Sequence, residues 1–174
     1  MSDKAEIIAA LERYMMEVLE PKQQEFGNLP VCPFVRAERV TKKIRYEICE
    51  MLPGLPRGDV EFLVRQFAGD DYHSTMLIVD PVKHLTKDEA FRYGIILCEM
   101  VCDTEMVAIA LHPDDEFEVA GFRPRCRIPY TTILVQAASL ISDAKSKLAE
   151  TSYYANWSQA DLDFNYKQFG RFLK

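Results

Sequence analysis

The stretch Met106-Val-Ala-Ile-Ala-Leu-His-Pro-Asp-Asp-Glu116 carries the clearest strand signal in this chain of 174 residues. Its apolar part predicts a strand from Glu105 to Leu111. The run ends in a histidine, a proline and three acids, so polar chemistry is concentrated where the predicted strand ends. If the protein has an active site, we expect it at this point and in the polar block that follows about ten residues later.

Helical and extended patterns alternate on both sides of this strand. Helices are predicted over 3–20, 36–52, from the capping box Thr86-Lys-Asp-Glu89 to about Cys102, over Thr131 to Glu150, and over 158–173. Further strands are predicted over Val60 to Phe67 and Ser74 to Asp80, joined as a hairpin by Gly69-Asp-Asp71, with Phe117 to Phe122 as a candidate for another. The strand ending at Asp80, the capped helix and the Glu105–Leu111 strand would form a β-α-β crossover.

These elements predict one α+β domain over 1–174. Its expected core, over about 30–150, is a small mixed sheet of about four strands covered by helices. The helix over 3–20 is expected at the N-terminus, and an aromatic helix over 158–173 at the C-terminus.

The composition of the chain excludes several classes of function. The net charge of −6 and the pI near 5.2 argue against a general nucleic-acid binder. No run approaches the roughly 18 apolar residues of a membrane span, and the polar start, Met1-Ser-Asp-Lys-Ala-Glu6, is unlike a signal sequence. Five cysteines, an odd number, indicate reduced thiols in a cytoplasmic protein. Cys98 and Cys102 are expected to share a helix face as small core residues.

A block of arginines follows the histidine motif. It consists of alternating positions, Arg123, Arg125 and Arg127. Nearby prolines predict an extended segment, in which alternate side chains share a face. Tyr130 would then precede the long helix, whose first N–H groups could join these side chains in binding a carboxylate or phosphate. Alternatively, Glu116 and Glu118 pair with the arginines across a hairpin.

The motif His112-Pro-Asp-Asp115 after a strand resembles the zinc motif of the PIG-L/LmbE deacetylase family. The resemblance implies that His112 and Asp115 bind zinc and that Asp114 acts as general base. Zinc would keep one position for an activated water. That family also takes a zinc ligand from a later His-x-x-His, whereas no histidine follows His112 here.

A wider pattern resembles an uncharacterised bacterial family, a domain of unknown function with an Asn-Leu-Cys-Pro-Phe segment. The matching residues are Cys32-Pro33-Phe34, His112-Pro113, Phe117, Ala120-Gly121-Phe122 and Pro129-Tyr130. The resemblance spans about 30–148 and brings no established activity. It implies that Cys32 and His112 belong to one site.

Three functions remain open. The first is binding of a small anionic metabolite, with or without catalysis, by the arginines and Tyr130. In that case His112 would be the acid–base group or a metal ligand, Asp114 would assist, and Cys32 would be a nucleophile or ligand. The second is a non-catalytic ligand-binding or interaction domain, with the aromatic C-terminal helix as a contact surface. The same helix could also form the interface of a homo-oligomer. The third is a zinc-dependent amide hydrolase, with zinc or another divalent metal at His112 and Asp115.

Each candidate also has a purely structural interpretation. His112 would hydrogen-bond to backbone or to a nearby acid at the end of its strand. Asp114 and Asp115 would form a turn, because aspartates bond readily to their own backbone. Cys32 would be a packed thiol, since the sequence shows no neighbour that lowers its pKa.

Overall fold

The computed structural model describes residues 3–163, in which a four-stranded sheet carries helices on both faces. The helices are α1 (Lys4–Tyr14, continued by a π-helical turn over Met15–Leu19), α2 (Val35–Val40), α3 (Gly58–Phe67), α4 (Lys87–Met100) and α5 (Ala138–Ala149). The strands are the short pair β1 (Lys22–Gln23) and β2 (Leu29–Pro30), and the sheet strands β3 (Ile44–Ile48), β4 (Thr75–Asp80), β5 (Met106–Leu111) and β6 (Thr131–Ala137). This mixture of helices with a small mixed sheet confirms the predicted α+β class.

The order of the sheet is β3-β4-β6-β5. Strands β3 and β4 are parallel neighbours, and β6 runs antiparallel to both β4 and β5. Strands β4 and β5 therefore run in the same direction, as the predicted crossover requires, but β6 lies between them. The crossover that joins adjacent parallel strands is instead β3-α3-β4.

Alternation along β4 separates the two faces of the sheet. Met76 and Ile78 belong to a core formed with α3 and α4, whereas Leu77 and Val79 pack with α1 and α2. Because successive side chains of a strand point to opposite faces, this one buried strand supplies both cores. The α1 and α2 face also carries the candidate site.

Two predicted elements before β4 are wrong. The helix over 36–52 is only α2, and Ile44 to Ile48 form β3 instead. A spacing of four residues fits one face of a helix and also one face of a strand. The positions of Ile44 and Ile48 therefore could not distinguish a helix from a strand. Val60 to Phe67 is not a strand of a hairpin but lies in α3, because Val60, Val64 and Phe67 are buried at helical spacing.

The long helix predicted from Thr131 to Glu150 is wrong in its first half. Residues Thr131–Ala137 form the strand β6, and the helix α5 begins only at Ala138. The β-branched residues of β6 pack well on a pleated sheet, and this tertiary pairing outweighs the helical spacing of the apolar residues. Phe117 to Phe122 is likewise not a strand, since an isolated bridge joins Val119 to Phe122.

Local signals at helix starts were more reliable. Glu89 donates its N–H to the Thr86 hydroxyl and its carboxylate accepts the Thr86 N–H at 2.9 Å, which confirms the capping box of α4. Ser158 accepts the N–H of Asp161 at 3.1 Å, at the start of the last predicted helix. The part of that predicted helix beyond 163, which contains all of its aromatic residues, lies outside the described residues. Within 3–163, no helix is long and apolar enough to cross a membrane.

Helix α4 covers the outer edge of β5. The thiol of the buried Cys98 accepts the Ala108 N–H at 3.0 Å and donates to the Ala108 carbonyl oxygen at 3.2 Å. An exposed edge strand presents unpaired backbone groups, which this thiol satisfies. Cys98 is therefore a core residue as expected, whereas Cys102 is exposed in the turn that follows α4.

The contacts of Asp70, in the turn before β4, should make the stability of the protein depend on pH. The backbone N–H of His73, the His73 ring and the backbone N–H of Tyr72 hold the pKa of Asp70 at about 2. An unfolded aspartate has a pKa of about 3.9. The stabilisation by the charged form is therefore complete above about pH 4 and is lost as the pH falls through 2.

We expect Asp70→Asn to lower the free energy of unfolding at pH 7 and to cost much less near pH 2, where Asp70 itself becomes protonated. Urea unfolding of both proteins at the two pH values measures this difference. An equal cost at both pH values would show that the charge of Asp70 is unimportant.

Candidate functional site

A cavity of about 620 Å³ lies on the α1 and α2 face of the sheet. Its floor is formed by side chains from β5 and β6, Ile109, Leu111, Leu134 and Gln136. Helices α2 and α5 and the end of α1 form its sides, and the segment 151–157 closes one wall. Among the candidate residues from the sequence, the cavity is lined by Cys32, His112, Asp115 and Arg127.

His112 is held by two backbone groups. The N–H of Asp114 donates to Nδ1 at 3.0 Å, so the ring hydrogen is on Nε2, which donates to the carbonyl oxygen of Leu85 at 2.9 Å. The residue is only 2% exposed. Both nitrogens are therefore engaged in joining the end of β5 to the loop before α4. This is the structural interpretation of His112, and it provides neither a lone pair for a metal nor a proton for exchange with a ligand.

The two aspartates of the motif point to different places. The carboxylate of Asp114 is exposed and accepts a hydrogen bond from Lys83 Nζ at 3.1 Å, which holds the pKa of Asp114 low. Asp115 lines the cavity, and its N–H donates to the His112 carbonyl oxygen at 3.0 Å in a turn. Among residues 3–163, no three His, Cys, Asp or Glu side chains are grouped so that they could hold a metal ion. The donors of the zinc motif thus do not fit a zinc centre.

Cys32 lies in the cavity wall as a neutral thiol. Burial raises the pKa of Cys32, although the backbone N–H groups of Phe34 and Val35 act in the opposite direction. A nucleophilic cysteine needs a lowered pKa, because the thiolate is the reactive form. The environment of Cys32 therefore favours a packed side chain that a ligand can contact.

The arginine block does not form the predicted anion receptor. The segment after Tyr130 is β6, so its N–H groups belong to a sheet and do not form the helix N-terminus that the prediction required. Tyr130 packs against the core of α1 and α2 and is not part of the cavity lining. The receptor was predicted because the residues from Thr131 onward were assigned to a helix, and these residues form a strand.

The three arginines also separate. Arg123 and Arg125 line a different cleft, near the end of α1, and Arg123 Nε donates to Glu118 at 2.6 Å. Arg127 lies at the large cavity, and its Nη2 is 3.6 Å from Glu116 Oε1. Pairing with Glu116 and Glu118, the alternative to ligand binding, is thus present for two of the three arginines.

An aromatic wall closes one side of the cavity. It consists of Tyr153, Tyr154 and Trp157, whose rings contact one another at centroid distances of 4.9 to 5.7 Å. The Tyr153 hydroxyl donates to the Val31 carbonyl oxygen. The Ser152 hydroxyl donates to the Gly27 carbonyl oxygen at 2.9 Å. These contacts attach the wall to the loop around β2.

Helix α5 is the most unusual part of the lining. None of its residues is fully buried, and its apolar side chains Leu140, Ile141, Ala144 and Leu148 all border the cavity. A surface helix normally buries its apolar stripe against the core. Ile141 and Leu148 also pack against the neighbouring hydrophobic clusters, so the stripe is partly packed and partly open to the cavity.

Comparisons of the chain with models of protein families, with curated proteins and with solved structures gave no match.

Proposed function

We propose that the protein binds a small, largely apolar molecule in the cavity beside α5. The observation that carries this proposal is a cavity of about 620 Å³ with mainly apolar walls, bordered by a helix that has no fully buried residue. Small-molecule sites in proteins typically measure roughly 300–1,000 Å³ and combine apolar walls with a few polar groups. The cavity matches that description in both size and chemistry.

The energetic reason is the half-exposed apolar surface. Each 100 Å² of apolar wall that a ligand removes from water contributes about 2.5 kcal/mol to binding. The floor from β5 and β6, the stripe of α5 and the aromatic wall all offer such surface. A molecule seated among them would supply the packing that α5 lacks.

The polar groups of the cavity support binding more than catalysis. His112 is engaged with backbone through both nitrogens, and burial raises the pKa of the Cys32 thiol. Neither residue therefore has the state that acid–base or nucleophilic chemistry needs. This proposal corresponds to the non-catalytic ligand-binding interpretation of the sequence.

The proposal is tested by filling the cavity. We expect Ala144→Phe to weaken binding of 1-decanol at least about tenfold, because the added ring occupies apolar volume that the ligand needs. Ala149→Phe is the matched control, since Ala149 is exposed on the same helix and outside the lining. Trp157, the only tryptophan of the chain, lines the cavity and reports binding through its fluorescence.

Two results would contradict the proposal. One is the absence of saturable decanol binding by the wild-type protein, or equal binding by both variants. The other is a wild-type dimer in sedimentation that Ala144→Phe alone converts to a monomer. That result would mean that a second copy of the chain covers this surface.

A further inference from the structure

We infer that the molecule bound in the cavity carries a carboxylate, and that Arg127 receives this group at the cavity wall. The inference rests on the proposed function, because it concerns the polar end of the same ligand. It starts from the six charged residues of the lining, Glu38, Asp115, Arg127, Asp143, Lys145 and Lys147. Their formal charges cancel, so the contacts of each side chain decide which sign of ligand is favoured.

One of the three acids, Glu38, has hydrogen-bond partners within the protein. Glu38 accepts hydrogen bonds from the hydroxyls of Ser74 and Thr75, at 2.9 and 2.8 Å. Asp143 is exposed and lies one helical turn before Lys147 on α5, a spacing at which opposite charges attract. Asp115 and Asp143 are therefore the acids that oppose an anionic ligand, and Asp115 is the less exposed of the two.

Arg127 is held more loosely than Arg39 and Arg123. Arg39 forms a two-pronged contact with Glu20 at 2.7 and 3.1 Å, and Arg123 bonds Glu118 at 2.6 Å. The contacts of Arg127 with Glu116 and with the Pro113 carbonyl oxygen are 3.6 and 3.5 Å long. The Glu116 side chain is 83% exposed, so it can turn into water when a ligand arrives.

A guanidinium with such weak partners suits a carboxylate. It presents parallel N–H groups that match the two oxygens of a carboxylate, and the Arg127 side chain is 53% exposed, so a ligand at the cavity wall can reach it. The Tyr14 hydroxyl, also in the lining, stays protonated because burial raises the pKa of Tyr14 to about 12. It can therefore donate a further hydrogen bond to an anionic ligand.

Asp115 acts against an anion, and Lys145 is a second candidate cation. Burial lowers the pKa of Lys145, which is half-buried on α5. Separate variants are needed to assign the carboxylate to one of the two cations.

The experiment compares three probes of equal chain length, decanoate, 1-decanol and decylamine, by Trp157 fluorescence at neutral pH. We expect the wild-type protein to bind decanoate about tenfold to a hundredfold more tightly than 1-decanol, as a charge-assisted contact predicts. Arg127→Gln should remove this preference, because it should weaken decanoate binding much more than 1-decanol binding. Arg125→Gln, in the other cleft, should retain it, and Asp115→Asn should tighten decanoate binding.

The outcomes separate the two proposals. If 1-decanol binds but decanoate is not preferred, or if decylamine binds most tightly, the carboxylate inference is wrong and the apolar site remains. If the preference survives Arg127→Gln and disappears in Lys145→Gln, the assignment to Arg127 is wrong. If none of the three probes binds, the proposed function itself fails.

Discussion

Replacing Gly27 with alanine is expected to lower the free energy of unfolding by about 2–4 kcal/mol. Gly27 has a φ of +64°, a backbone angle that residues other than glycine adopt at a cost of about 1 kcal/mol. An added Cβ would also overlap the backbone carbonyl of Ser152 and lie 2.5 Å from its Oγ. Backbone cannot move aside as a flexible side chain can, so the segment 151–157 must shift.

Gly121→Ala provides the matched control. Gly121 also has a positive φ, +84°, but an added Cβ would meet nothing within 4 Å. We therefore expect this variant to lose only about 1 kcal/mol. Urea unfolding followed by Trp157 fluorescence compares the two, and a shifted native spectrum in Gly27→Ala alone would report the displaced wall. Equal losses would mean that the close approach of Ser152 is unimportant for stability.

His112→Ala should be at least as damaging, with a loss of about 3–5 kcal/mol. The substitution removes a fully buried ring and leaves the Leu85 carbonyl oxygen and the Asp114 N–H without their partner. A buried polar group left unpaired costs about 1–3 kcal/mol, and the void adds to that cost. Thermal or urea unfolding of the purified variant measures the loss.

The control for His112 is His84→Ala. The His84 side chain is 33% exposed and its Nδ1 lies 3.8 Å from Asp80, beyond hydrogen-bond length, so we expect a loss below about 1 kcal/mol. A metal-binding or acid–base role for His112 makes the opposite prediction, namely normal stability with altered metal content or lost chemistry. A His112→Ala protein as stable as the wild type would therefore overturn the structural role.

Several elements were predictable because their signals are local. The capping box at Thr86 needs only residues that are three apart. The first helix, predicted over 3–20, ends with its π-helical turn at Leu19, just before Pro21. The run from Met106 to Leu111 was recognised as a strand with nearly its true bounds. Each of these features depends on neighbours within a few residues, so it can be predicted from the sequence without knowledge of the fold.

The elements that failed depend on pairing across the chain. Thr131 to Ala137 became a strand because β4 and β5 lie on either side of it, and these partners are about 25 to 55 residues away in sequence. The apolar spacing of this segment could not show that. The same error created the helix N-terminus on which the predicted anion receptor depended, so one misassigned element also removed part of the predicted site.

The sequence by itself determined the class of the fold, the capped start of α4 and the strand β5. Only the tertiary structure decided that His112 is bonded to backbone at both nitrogens, that Arg127 separates from Arg123 and Arg125, and that α5 borders a cavity. The physical reason is that hydrogen-bond partners and empty volume arise from segments far apart in the chain, whereas periodicity reports only on near neighbours.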